Sequence, residues 1–146
     1  MRPILVALDA SERAPVVLRA ATGLARKLGA KLVALRVVSV ALEIPMEAYA
    51  VSMASLPELL QREARAGLER LTASVEPGLM LGVLVEVGTP WDAICQVAKR
   101  DDCSMIVLGS HGYRGLDRIL GTTAARVVNH ADRTVVVVRQ DALLDV

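Results

Sequence analysis

The sequence predicts a single α/β domain, a five-stranded parallel sheet with helices on both faces. Three observations carry this. Five short apolar runs alternate with four amphipathic segments, the order that strand–helix–strand crossovers produce. The runs are apolar almost throughout, as in strands covered on both faces. The chain has 146 residues, 53% of them hydrophobic and 23% charged, one domain's length with enough apolar side chains for a sizeable core. That composition also excludes intrinsic disorder.

The elements follow in order. Pro3 to Leu8 (PILVAL) reads as a buried strand, and Asp9-Ala10-Ser11 as a turn and helix cap. A helix to about Leu28 carries Ala14, Val17, Leu18, Ala21, Leu24, Ala25 and Leu28 at spacings of three and four. Pro15 fits its first turn and Gly29 stops it. Leu32 to Val38 is the second strand, and residues 39 to 54 read as an excursion without a clean period. Ser55 and Glu58 have capping-box spacing, opening a helix to about Val75 with Leu60, Ala64, Leu68, Leu71 and Val75 inward. Pro77-Gly78 breaks the chain before the third strand, Leu79 to Val87. Thr89 then caps a helix with Pro90 in its first position, Asp92 near its positive end, and Trp91, Ile94, Cys95 and Ala98 as its apolar face. Met105 to Leu108 is the fourth strand, Thr122 to His130 the fourth helix, and Thr134 to Arg139 the fifth strand.

Composition narrows the function. With 17 Lys and Arg against 16 Asp and Glu, the net charge is +1, leaving no surplus to follow a nucleic-acid backbone. Aromatic residues make up 2%, with no Phe, so base-stacking platforms are not expected. Two cysteines cannot staple a domain of this size and point to a reducing cytosol. No apolar stretch approaches the roughly 18 residues of a membrane span. The first strand starts at Pro3 with no charged and apolar leader before it, which argues against a signal peptide.

In parallel sheets every strand's carboxyl end lies on one edge, and ligands sit there where strand order reverses. Asp9 follows the first strand and Gly109 the fourth, so both lie on that edge. Glycines 109, 112, 115 and 121 sit between a strand and a helix. Gly121-Thr122-Thr123 offers unbonded N–H groups and two hydroxyls at a helix start, which suits an anion. The competing reading is an ordinary loop with a threonine cap. No Walker loop or GxGxxG fingerprint is present. Asp9 reads either as a turn carboxylate or as an acceptor for a nucleotide's amine or ribose. His111 adjoins the glycine loop, within reach of a phosphate. Tyr113, Arg114 and Arg118 lie in the same stretch and read as a rim or a solvated face. His130 reads as a dipole partner at a helix end, Cys95 as a core residue and Cys103 as a turn residue. No spacing matches a zinc site, and Ser110 lies in GSHG rather than in a hydrolase elbow.

These residues resemble the universal stress protein family along nearly the whole chain. The resemblance lies in ILVALDASE from Ile4, LVALRVV from Leu32, VGTPWDAI from Val87, and MIVLGSHGYRGLDRILGTTAARVVNHADRTVVVVR from Met105. It implies a Rossmann-like sheet of order 3-2-1-4-5, of the adenine nucleotide alpha hydrolase type, reversing between strands 1 and 4. It also implies a cytosolic stress-response protein that binds ATP, with Mg²⁺ as companion of the triphosphate. The pattern G-x2-G-x9-G-S/T of the nucleotide-binding branch falls on Gly109, Gly112, Gly121 and Thr122. By resemblance, the Gly109 to Gly112 loop runs along ribose and phosphates, and Gly121, Thr122 and Thr123 hold the β and γ phosphates. Asp9 and the Val37 backbone meet the adenine, and Ala7 lines the ribose side. The chain departs from the pattern twice. Eight residues rather than nine separate Gly112 from Gly121, which can move an anion site by a few ångströms, since neighbouring Cα atoms are about 3.8 Å apart. Ala7 stands where many ATP-binding members carry proline.

The leading expectation is binding rather than turnover, because no residue is a convincing general base. The alternative is an interaction module of the same fold that binds no nucleotide. An adenylating ligase is disfavoured, since DASE stands where such enzymes carry SGGxDS after the first strand. With the implied order, Thr134 to Arg139 is an edge strand without Pro or an inward charge, open to antiparallel pairing in a homodimer through Val136 and Val138.

Overall fold

A computed structural model of the chain describes residues 1–39, 56–110 and 120–139. Along these run β1 (Ile4–Ala7), α1 (Ala14–Leu28), β2 (Leu32–Val38), α2 (Leu56–Thr72), β3 (Met80–Val87), α3 (Pro90–Arg100), β4 (Met105–Gly109), α4 (Thr122–His130) and β5 (Thr134–Val138). The five strands form one sheet in the order β3-β2-β1-β4-β5. Every neighbouring pair is parallel. The fold and strand order are therefore those the sequence and its resemblance led us to expect.

The sheet's two faces bury separate clusters, because successive strand side chains point to opposite sides. Ile4, Val6 and Leu8 pack with Val17, Leu18 and Ala21 of α1 and with Leu68 of α2. Leu5, Leu35 and Ile106 pack with Ile94, Val97 and Ala98 of α3 and with Ala124 and Val127 of α4. Ile4, Leu5 and Val6 are all fully buried, which is why this run is apolar at every position.

Helix boundaries follow local chemistry. Gly29 takes a left-handed φ of 66° that a side chain would strain, and Ala30 N–H then bonds Ala25 oxygen at 2.9 Å. Asp9 and Ser11 organise the chain before α1 instead of capping the helix directly. Ser11 N–H donates to Asp9 Oδ1 at 3.0 Å and Arg13 N–H to Ser11 Oγ at 3.3 Å. The helix starts only at Ala14, with no side-chain bond from its cap residue Arg13.

Several expectations need correction. Thr89 has the extended backbone of a cap, but its side chain makes no capping bond. The third strand begins one residue late, with a bulge after Leu32 that leaves Leu81 between paired positions and exposed. The second helix ends at Thr72, short of Val75. Ser55 of the capping box and the excursion from residue 40 onward lie outside the described residues. Cys103, read as a turn residue, directly follows the turn but is wholly buried, while Cys95, read as a core residue, is half-buried against the same cluster. The turn is made by Asp102, which accepts a φ of 47° and sends the next residue back into the core. Val97, missed in the apolar face of α3, is also buried.

Candidate functional site

The order places β1 and β4 side by side at the centre of the sheet. The helices after them leave toward opposite faces, α1 to one cluster and α4 to the other. A cleft of about 380 Å³ opens between, at the carboxyl ends of the strands. Ala7, Asp9, Val37, Gly109, Thr122 and Thr123 all line it. Gly121 precedes Thr122 as the cap residue of α4. His111 and Gly112 lie outside the described residues, as do Tyr113, Arg114 and Arg118. Sequence reasoning missed the apolar and polar walls, including Leu35, Ser39, Pro90, Ile94 and Leu108. Period-two counting from Val37 would have found Leu35 and Ser39 on the same face. Ile94 was assigned to core packing, and it does both.

The phosphate-suited end is built from the start of α4. Gly121 N–H donates to Ser110 oxygen at 3.2 Å, and Ser110 N–H to Val138 oxygen at 2.9 Å. These bonds tie the helix start to the ends of β4 and β5. The first intrahelical bond runs from Ala125 N–H to Gly121 oxygen at 2.9 Å. The N–H groups of Thr122, Thr123 and Ala124 precede it and have no intrahelical acceptor. All three residues line the cleft. Pro90, first residue of α3, lines it too, so the positive ends of two helices face one space.

The opposite end is built from β1 and β2. Alternate residues of a strand direct their backbone groups to opposite neighbours. Leu8 N–H bonds Leu35 oxygen at 2.9 Å, so Leu35, and with it Val37, faces β1. Gly88 N–H bonds Val38 oxygen at 3.0 Å, so Val38 faces β3. The β1–β2 ladder ends at the pair Ala7 and Leu35. The backbone edge of Val37 therefore lies beyond the last rung, directed into the cleft. Beside it, Arg36 Nε donates to Leu8 oxygen at 3.0 Å and Nη2 to Asp9 oxygen at 2.9 Å. Burial holds the Arg36 pKa below its ordinary value, the Asp9 carboxylate opposes that shift, and Arg70 adds to it.

Asp9 is the one ionisable side chain among the described lining residues. Among the described residues no group of three or more His, Cys, Asp or Glu side chains is placed to hold a metal. No helix among them is long and apolar enough to cross a membrane. His130 sits at the far end of α4, its Nδ1 2.8 Å from Arg126 oxygen and its ring 4.5 Å from that of Trp91.

A profile of the Universal stress protein family matches residues 1–139. The chain belongs to this family. A universal stress protein of Synechocystis is 32% identical, over 93% of this chain and 96% of the relative. A universal stress protein family structure from Burkholderia pseudomallei superposes with a TM-score of 0.73 at 29% identity, covering 94% of this chain and 96% of that one. The universal stress protein of Archaeoglobus fulgidus in complex with dAMP shares the fold with a TM-score of 0.59 at 23% identity, covering 95% of this chain and 98% of the other. Another universal stress protein, solved in complex with cAMP, shares the fold at a TM-score of 0.58 and 19% identity over 96% of this chain and 99% of the other.

Proposed function

We propose that this universal stress protein binds an adenine nucleotide, ATP foremost, in the cleft between β1 and β4, and acts in the stress response of the cytosol by binding rather than by rapid turnover. The observation that carries the proposal is the gathering of two unlike ends in one space. One end offers free N–H groups and hydroxyls at a helix start, suited to phosphates. The other offers a carboxylate and an unpaired strand edge, suited to the polar edge of a base. The apolar walls, Leu35, Ile94 and Leu108, suit the ring faces. The relatives solved with dAMP and cAMP support an adenine nucleotide as the class.

In this reading Asp9 and the Val37 backbone meet the adenine, Ala7 lies beside the ribose, Gly109 with His111 and Gly112 follows the sugar and phosphates, and Gly121, Thr122 and Thr123 hold the terminal phosphates. Mg²⁺ would be held chiefly by the triphosphate itself, since the described cleft residues offer one carboxylate and no acidic cluster. Asp9 already accepts the Ser11 N–H, and its carboxylate has lone pairs for further donors.

Calorimetric titration of the nucleotide-free protein with ATP, ADP, AMP and cyclic AMP tests this directly. We expect ATP to saturate one site per chain and Asp9→Ala to weaken it about tenfold, ~1.4 kcal/mol. A wild type that takes up none of the four at millimolar concentration leaves the alternative, an interaction module that binds no nucleotide.

A further inference from the structure

Arg36 is an unusual residue for its position, a charged side chain in the middle of an otherwise apolar strand, LVALRVV. It lies half-buried on the face covered by α2. Its guanidinium is committed to backbone acceptors: Leu8 oxygen at 3.0 Å, Asp9 oxygen at 2.9 Å and, more loosely, Ala64 oxygen at 3.5 Å. The first of these matters most. Were the β1–β2 ladder to run one rung further, Leu8 oxygen would accept the N–H of Val37, the next residue of β2 that faces β1. Arg36 Nε takes that acceptor instead, and the ladder stops at Ala7 and Leu35. The second bond pins the carbonyl of Asp9, a residue that lines the cleft.

A second, independent feature makes room for this arrangement. Gly67 lies within α2 above the guanidinium, and a Cβ built there would come within 2.8 Å of Arg36 Nη1. Glycine is a poor helix former, and here its missing side chain is the space the guanidinium occupies.

We propose that Arg36 is a positioning residue of the cleft: it caps the end of β1 through the carbonyls of Leu8 and Asp9, so that the backbone edge of Val37 stays open for the base of a bound nucleotide and Asp9 stays aimed at it. The ligand half of this inference rests on the nucleotide reading above. The strand-ending half does not. A planar fork with several donors suits the role, since one group must reach two carbonyls at once.

The test compares wild type, Arg36→Met, Arg36→Lys and Gly67→Ala. Without nucleotide, amide hydrogen exchange at Val37 reads the strand-ending role. In Arg36→Met the released Leu8 carbonyl takes the Val37 N–H, and exchange there slows about tenfold or more; an unchanged rate overturns the inference. With nucleotide, calorimetry compares ATP with inosine triphosphate, which differs only at the polar edge of the base. We expect wild type to prefer ATP, Arg36→Met to lose most of that preference, and Arg36→Lys and Gly67→Ala to fall between. A purely structural role would weaken both nucleotides alike and leave the ratio intact, which also overturns the inference. Should Arg36→Met fail to fold, Arg36→Lys and Gly67→Ala carry both measurements, and a wild-type exchange rate and ratio in each count against it. A wild type that binds neither nucleotide ends the nucleotide reading, and Val37 exchange then decides the strand-ending role alone.

Discussion

Cys103 and Arg133 join two ends of the chain that the sequence keeps thirty residues apart. Arg133 Nη1 donates to Ala98 oxygen at 2.6 Å and to Cys103 oxygen at 2.7 Å, closing the end of α3 onto the start of β4. Hydrogen bonds to a charged donor contribute about 1.5–3 kcal/mol, so Arg133→Met should lower stability by roughly 2 kcal/mol in a urea melt. The Cys103 thiol is pushed above its ordinary 9.0, by burial first and by Asp101 next, with Arg133 opposing. The unfolded chain therefore ionises first as pH rises. The thiol's contribution is whole below pH 9.0 and is lost as pH climbs through the folded value. A thiol reagent at pH 8 should label half-buried Cys95 in the native protein and reach Cys103 only on unfolding. Equal labelling of both would contradict the packing. Both cysteines were visible in the sequence, but their environments were not. The turn beside Cys103 hid a side chain that Asp102 returns to the core. The site residues were more legible, because Asp9, Gly109 and Thr122 are fixed by strand ends and a helix start. Arg36 was not, because its closest acceptors, the Leu8 and Asp9 carbonyls just past β1, lie 28 and 27 residues away in sequence.

Strand β5 shows how an element's orientation revises an expectation. It lies at the end of the sheet and pairs with β4 alone among the described strands. Val136 and Val138, the side chains expected at a dimer contact, pack instead into the α1 side of their own subunit, Val138 at 3% exposure. Val138 oxygen accepts the Ser110 N–H, so Val138 and Val136 direct their backbone toward β4. The outward N–H groups belong to Val135 and Val137. The homodimer through residues 134–139 stays a proposal, now with the backbone edge as its contact. Val137→Pro should remove an outward donor and shift a dimer toward monomer in light scattering, leaving the β4 ladder intact. Val136→Pro should instead break that ladder and lower the melting temperature. A wild type that scatters as a monomer at high micromolar concentration would rule out the pairing. The helices were legible from periodicity to within a few residues, and α4 to the residue. Caps were less so, since Thr89 has a capping residue's type and backbone without its bond.

The whole molecule is a sheet whose strands were legible one by one but whose order was not. Alternation of strand and helix implies parallel pairing, yet it is silent on where the order reverses; that came from the resemblance, and the observed order agrees. Two global predictions follow from the proposed binding site, which draws on β1, β2, β4 and the starts of α3 and α4. ATP at one hundred times its dissociation constant should raise unfolding stability by about 2.7 kcal/mol, read as a higher melting temperature. Absence of any shift at millimolar ATP would mean that the folded chain does not bind it. Hydrolysis, where present, should be far slower than the ordinary enzyme value of about 10 per second, because Asp9 is the lone ionisable group among the described lining residues and is engaged by the Ser11 N–H.

The bond between Gly121 N–H and Ser110 oxygen, 3.2 Å long, acts as a neck. The chain leaves the framework at Ser110 and re-enters it at Gly121, at almost the same point in space. Ser110 and Gly121 thus close a span whose two ends are held together by one backbone bond. Removing one residue from such a closed span changes its closure entropy by only ~0.1 kcal/mol. Closure at the neck is therefore almost indifferent to the one residue by which Gly112–Gly121 falls short of the family pattern. A ligand reaching across the neck would sense it. Restoring one glycine to that span should leave the melting temperature unmoved, and any change in nucleotide affinity would then measure the span itself, separately from the domain that holds it.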